Sequence, residues 1–396
     1  MSIKKSLPIL SLSQALASAN LFFIGAVVLF FMGPEDFLYF GFIGYLISIL
    51  KCIFEGYISP LILKNDQISD PDRYQQFIFL SKTIIIAKFI VLFAVFFAWP
   101  DFKFLICIVV FLITVTLTEF TRTIIIAKNE IIQMLLLDLA IAIASLTIIT
   151  ILIINEKLSL ETIILSLSFS YFVSLTVFRR RDIMSLFRNT RLYIKDIKPV
   201  IRGSDIGHQY LVRLVVQLLI YGLAMGMISS LDLALLRLSQ LLTNILRIPL
   251  LGTRQYIYNV LSSKKELDLN IINTRVKVTL TVTILFIASI ISIITVLVNR
   301  TLLESEINVY FIFVASFMFL LIPLISFAEN TIAALIFKQT VDPIAHRNTI
   351  IISFFMIVTF VVTVEYIGVL VWPILLLAGS GMNATMLYGR MRNLSR

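Results

Sequence analysis

The chain has 396 residues, 59% of them hydrophobic and 14% charged, with a formal net charge of +10. So little charge leaves no soluble domain to look for, and two cysteines exclude a disulfide framework. The basic surplus could suit nucleic acid, but its placement along the chain follows a membrane instead.

Apolar stretches succeed one another at roughly 9–31, 37–62, 77–99, 102–127, 131–154, 158–178, 207–228, 233–260, 276–298, 306–336, 349–364 and 368–388. About 20 apolar residues cross a hydrocarbon core of about 30 Å, so twelve membrane helices are predicted. The stretch 349–364 is short, which predicts a tilted or tightly paired last hairpin around Glu365. Lys4, Lys5, an apolar run and Ala17-Ser18-Ala19 mimic a cleavable leader, yet the run continues to Phe31 and fits a retained first span. Connections on one side are tiny, as in Gly33-Pro34-Glu35-Asp36 and Asn155-Glu156-Lys157, and leave no room for a catalytic domain. The longest polar segment, 179–206, opens with Arg179-Arg180-Arg181. It reads as a solvated basic cytoplasmic linker in preference to an amphipathic surface helix built on Ile183, Met184 and Phe187. The expected organisation is a six-helix half at 1–178, the linker at 179–206 and a second six-helix half at 207–396.

Lysine and arginine follow the parity of the connections. The N-terminus, the even-numbered connections (Arg122 and Lys128 among them) and the C-terminus hold 23 of the 33, and the odd-numbered connections only Lys103, Lys157 and Arg300. The positive-inside bias therefore predicts both termini in the cytoplasm, with the basic loops facing anionic lipid headgroups. Seven remain within spans: Lys51, Lys82, Lys88, Arg213, Arg237, Arg247 and Arg254. A cation at a helix centre costs roughly 2.5–3.5 kcal/mol on insertion scales, so these are where function is sought. Lys82, Arg254 and Arg237 are near enough to span ends to snorkel, Arg213 is intermediate, and Lys51, Lys88 and Arg247 are deep.

The two halves look related. A shift of 196 lays residues 33–60 on 229–256 and sets Asp36 on Asp232. Gly41, Gly44, Ser48, Lys51 and Glu55 then fall on Arg237, Gln240, Asn244, Arg247 and Leu251, a spacing that keeps each set on one helix face. Parallel repeats of this kind predict a site at their interface, with Lys51 and Arg247 near the bilayer midplane. The eighth stretch carries Arg237, Gln240, Asn244, Arg247 and Arg254 within an arc of about 100°, a face that must line protein or water. Guanidinium pairs bidentately with phosphate and amides bond hydroxyls, so the stripe suits an anionic, polyhydroxylated ligand. Pro249 predicts a bend beside Arg247.

Lys51 has a local alternative, an i,i+4 pair with Glu55, whereas Arg247 has no acid within four residues. Glu55, Glu119, Asp138 and Glu329 are intramembrane acids. Charge balance is the preferred reading for them, with ion coupling at Glu119, Asp138 or Glu329 the sharper one. Neither a P-loop nor GxGxxG occurs, and His208 and His346 belong to no metal-ligand spacing. No nucleophile, base and orienter assemble in the sequence. Neither an enzyme nor a cofactor or metal is expected, and nucleic acid is not an expected partner.

The run Phe31-Met32-Gly33-Pro34-Glu35-Asp36-Phe37-Leu38-Tyr39 resembles the turn entering the second span of Wzx-type polysaccharide flippases, with Leu38 where that turn usually has Gly. Gly226-Met227-Ile228-Ser229-Ser230, Leu233-Ala234 and Arg237-Leu238-Ser239-Gln240-Leu241 are similar in the second half. The superfamily is the multidrug/oligosaccharidyl-lipid/polysaccharide (MOP) exporters. The resemblance implies an all-α, MATE-like transporter in a bacterial inner membrane and a cationic central cavity. It implies translocation of undecaprenyl-pyrophosphate-linked oligosaccharide for O-antigen or lipopolysaccharide biosynthesis, with a polysaccharide polymerase and a chain-length regulator as candidate partners. Lys51, Lys88, Arg213, Arg237, Gln240, Asn244 and Arg247 are the candidate cavity residues. The rivals are a cation-coupled drug or metabolite antiporter of the same superfamily, an O-antigen polymerase or glycosyltransferase, and a purely structural subunit. The first span offers Gln14, Ser18 and Asn20 but no acid for an organic cation, and the short outer loops disfavour the enzymes.

Overall fold

The computed structural model describes residues 3–54, 58, 74–86, 102–128, 130–186, 205–241, 318, 321 and 343–394. Every regular element among them is helical: α1 (Ile3–Met32), α2 (Pro34–Ile53), α3 (Phe102–Ala127), α4 (Ile131–Ile154), α5 (Leu160–Leu186), α6 (Asp205–Met227), α7 (Pro343–Ile367) and α8 (Val371–Leu394), with helical segments at 74–86 and 230–241. In lipid only internally hydrogen-bonded backbone is tolerated, so apolar sequence becomes helix even where it is rich in β-branched residues. The alternating Thr114, Thr116 and Thr118 of α3 illustrate this, each hydroxyl donating to a carbonyl three or four residues back. Four described helices hold stretches long and apolar enough to cross a membrane: Ala15–Met32, Phe104–Ala127, Ile131–Ile154 and Leu160–Met184. The protein is a multi-pass membrane protein.

The chain forms two compact units, Met1–Leu219 and Ile220–Arg396. In the first, α1 packs on α2, α2 on α3, α3 on α5, α5 on α4 and α4 on α1, which closes a ring. Buried serines 166, 168, 170 and 174 on α5 are small enough for the α3 backbone to come close. α4 shows why burial is hard to read from such a helix. Ile132, Leu136, Leu139 and Ile143 are exposed on one face, while Met134, Leu137, Asp138, Ile141 and Ser145 are buried on the other. Both faces are apolar, as expected where one meets lipid.

The corners follow local chemistry. Gly33 adopts φ 101 between α1 and α2, a conformation open to glycine alone, and Pro34 then starts α2. The Phe37 amide bonds the Gly33 carbonyl at 3.2 Å, and at the corresponding corner of the second unit the Leu233 amide bonds the Ser229 carbonyl at 3.1 Å. There the Ser229 hydroxyl donates to Asp232 at 2.6 Å and accepts from its amide at 3.2 Å, a reciprocal cap. Residues paired by the shift of 196 thus build equivalent helix starts. Asn155-Glu156-Lys157 makes the α4–α5 turn, and Ser159 and Thr162 cap α5 reciprocally.

Two details differ from the sequence reading. α7 runs for 25 residues and joins α8 through a three-residue 3-10 turn at Gly368–Leu370, so only its apolar part is short. α5 continues as helix to Leu186 after a break at Arg179 (φ −140), so the polar segment begins as helix. Arg179 is not solvated there: it bonds Glu130, and Asp182 at 3.2 Å, while Lys128 reaches Asp182 at 3.3 Å.

Candidate functional site

The ring of the first unit encloses an ion network to which each of its helices contributes. Lys51, in the last turn of α2, places Nζ 3.1 Å from Glu119 Oε1 on α3. The same carboxylate oxygen accepts from Arg122 Nη1 at 3.0 Å, one helical turn on. Arg122 Nη2 also donates to Asp138 on α4, and the Ser13 hydroxyl on α1 donates to the other oxygen of Asp138. Tyr171 on α5 is buried, packs edge-on against Phe111 at 5.9 Å and is electrostatically coupled to all four charges. Phe77 of the helical segment 74–86 stacks on Phe120 at 5.0 Å and meets Phe54 edge-on at 6.1 Å, an aromatic floor beside the network.

Two cations and two carboxylates sum to zero. This balance explains how the group tolerates its site, since an isolated buried ion would cost several kcal/mol. Exposure is unequal: 29% of the Lys51 side chain is accessible, against 9–10% for Glu119 and Arg122 and 2% for Asp138. A second polar contact follows on the same two helices. Ser145 Oγ donates to Asn20 Oδ1 at 2.9 Å, seven residues beyond Asp138 and Ser13 respectively. The constant offset of 125 residues means that α1 and α4 run parallel in fixed register.

Asp138 is seven residues into α4 and Arg122 five residues before the end of α3, hence about 10 Å and about 8 Å from the end expected to be cytoplasmic. Lys51, expected near the midplane, stands two residues before Ile53, where α2 ends as regular α-helix, and Phe54 and Ile58 beyond it are also helical. Arg122, assigned from sequence to a cytoplasmic connection, is instead buried in α3. Lys51 is paired across helices with Glu119; its alternative partner Glu55 lies outside the described residues.

In the second unit, Arg237 and Gln240 lie on one face of the helical segment 230–241. Arg237 donates to the Gln240 carbonyl oxygen and sits 5.7 Å from the centre of the Tyr221 ring, a cation–π arrangement. Tyr221 packs against Trp372 at 5.2 Å, and both rings are fully buried. Arg237 is itself only 7% exposed. It does not snorkel, since this aromatic platform and Gln240 hold it inside. Arg213 lies half-buried on α6, and Lys82 is half-buried in the segment 74–86. Lys88, Asn244, Arg247, Arg254 and Glu329 lie outside the described residues.

Fold and network together are those of a polytopic helical bundle. The model of a MOP superfamily transporter from Pyrococcus furiosus, reported with a binding pocket of reverse polarity that suggests a different function, superposes with TM-score 0.66 at 15% identity, over 99% of this chain and 96% of that one. An outward-facing multidrug resistance MATE transporter of the same superfamily gives 0.67 at 14% identity, with the same coverage. The Vibrio cholerae MATE transporter VcmN in its bent form gives 0.57 at 11%, over 99% and 97%. The chain therefore has the MATE-like transporter fold. No family model matches the sequence, and no curated protein does.

Proposed function

We propose that this protein carries an undecaprenyl-pyrophosphate-linked oligosaccharide, an O-antigen or related surface-polysaccharide unit, across a bacterial inner membrane by alternating access. The observation that carries the reading is Arg237, buried at 7% exposure with its amide partner Gln240. These two residues open the polar stripe that Asn244 and Arg247 continue in sequence. A buried guanidinium beside an amide matches a phosphate attached to sugar, and a cationic lining would reject organic cations. In this reading the pyrophosphate engages Lys51, Arg213 and Arg247, with Lys88 adding positive potential. Gln240 and Asn244 bond the sugars, and the polyprenyl tail stays in lipid. Both termini face the cytoplasm, and a polymerase and chain-length regulator act on the product.

Glu119 and Asp138 serve the N-terminal unit as counter-ions for Lys51 and Arg122, which supports charge balance for these two acids. The drug-antiporter alternative shares the fold with the multidrug MATE transporters, but it needs an acid available to a cationic drug, and the two intramembrane acids among the described residues, Glu119 and Asp138, are paired with cations. The test is surface export in a strain deleted for the protein. Wild type should restore surface glycan, and Arg247→Ala should abolish it at unchanged protein level. Full export by that variant would refute the assignment.

A further inference from the structure

The break in α5 divides the basic run Arg179-Arg180-Arg181 into one inner charge and two outer ones. Arg179, its side chain 9% exposed, bonds Glu130 at the start of α4 and Asp182 one turn on, the latter at 3.2 Å. Lys128, just past the end of α3, reaches the other oxygen of Asp182 at 3.3 Å. The four charges of this clamp sum to zero, and both of its acids are held by cations. Arg180 and Arg181 stand outside it and are exposed. The Lys128–Asp182 contact also fixes the ends of α3 and α5 at one level. Leu160–Phe178 rises about 28 Å, close to the thickness of a hydrocarbon core of about 30 Å, so that level is the headgroup layer. The last apolar residues before it, Val177 at 71% and Phe178, are exposed on the outside of the helix, as is Met184 beyond the two arginines.

We propose that the end of the first unit shared by α3 and α5 is a binding site for an anionic phospholipid, with the phosphate on Arg180 and Arg181 and an acyl chain along Val177 and Phe178. Guanidinium pairs bidentately with phosphate and is more weakly hydrated than an ammonium, so it suits the edge of the bilayer. The exposed apolar pair directly below selects a lipid over a free phosphate, since only a lipid covers both. The clamp makes the site by keeping Glu130 and Asp182 engaged, so neither acid competes for the outer arginines. Lys128 is exposed at the same level and adds positive potential. A second copy of the chain packed on this face about a two-fold axis would set like charges against each other. None of these residues belongs to the set proposed for the cargo.

The test is local quenching in phosphatidylcholine vesicles that hold the full-length protein with a Phe178→Trp reporter, the emission of Trp99 and Trp372 in the parent protein being subtracted. Dibrominated phosphatidylglycerol and dibrominated phosphatidylcholine are the two probes, and no cargo is present. Each basic residue near an anionic headgroup is worth roughly fivefold in binding. The reporter protein should therefore prefer phosphatidylglycerol by roughly 25-fold, and Arg180→Gln or Arg181→Gln should each lower that preference by roughly fivefold. The double glutamine variant should show no preference, and the double lysine variant should keep most of it. Lys157→Gln removes the same charge from the turn at the opposite end of α5 and should leave the preference unchanged. Val177→Trp is a second reporter on the same exposed surface and should give the same ranking. Equal quenching by the two lipids, or a preference that survives the double glutamine variant, would overturn the site. A loss in Lys157→Gln as large as that in Arg181→Gln would replace it with a response to net charge alone. Weak quenching by both lipids would mean that protein covers this surface, and would overturn it as well.

Discussion

Replacing Asp138 with Leu removes one of the two carboxylates that balance Lys51 and Arg122, and so leaves a net positive charge in a site where Asp138 is 2% exposed. Breaking a buried pair by deleting one partner costs about 3–5 kcal/mol, because the remaining ion keeps its desolvation penalty. Arg122→Met should cost as much, since among the described residues it leaves Asp138 bonded to the Ser13 hydroxyl alone. The double variant removes one charge of each sign and leaves the Lys51–Glu119 pair intact. Well-packed apolar replacement of a buried pair is often neutral, so the double variant should be no less stable than either single one. The coupling energy should exceed about 3 kcal/mol, at the top of the range for contacting residues. Equilibrium unfolding by SDS in mixed micelles measures all four corners of the cycle. A cost below about 1 kcal/mol for Asp138→Leu, or two single costs that simply add, would refute a balanced buried network.

Ser145→Ala deletes only a neutral contact between parallel helices, so unfolding in the same micelles should shift by about 0.6 kcal/mol and by no more than about 1.7. A loss as large as that of Asp138→Leu would contradict the ranking. Gly33→Ala meets no atom within 4 Å but must hold φ 101, so its cost of about 1–3 kcal/mol is backbone strain alone. A neutral result would mean that the corner relaxes. At the α1–α2 corner, burial first, then Glu161 and Glu35, raise the Asp36 carboxyl above its ordinary 3.8. The folded state thus prefers Asp36 neutral. That contribution is fully present below 3.8 and is lost as pH rises through the higher folded value. Asp36→Asn should therefore melt above wild type at pH near 7, and the gap should close below about pH 4. A gap that widens on acidification would refute the sign.

Local features of the chain were legible from residue chemistry alone. Gly33-Pro34 as a helix start, Asn155-Glu156-Lys157 as a turn and the helical register of Arg237 and Gln240 each depend on neighbours within four positions. The partner of Lys51 was not legible in this way. Glu119 is 68 residues away, while Glu55 offers a local pair in the sequence, and the contact with Glu119 forms only where α2 packs on α3 in the closed ring. Arg122 stands five residues before the end of the apolar run 102–127, and the parity of the connections counts it with the basic residues that follow. Its spacing of three from Glu119 was the available sign of burial. Arg179 shows the same pattern at the break in α5. Beside Arg180 and Arg181 it looks like one more topology-setting charge, yet Glu130 and Asp182 hold it in the break of α5. Nor could hydropathy separate the two faces of α4, because lipid and protein interior are equally apolar surroundings.

The most direct measurement reconstitutes the purified protein into liposomes that carry the proposed cargo, the undecaprenyl-pyrophosphate-linked oligosaccharide of its source, and follows the glycan from one leaflet to the other with an impermeant lectin. Wild type should move the glycan, and Arg237→Ala and Arg247→Ala should leave it where it was loaded. Equal leaflet exchange with and without the protein, at verified insertion and with the native glycan, would contradict the account.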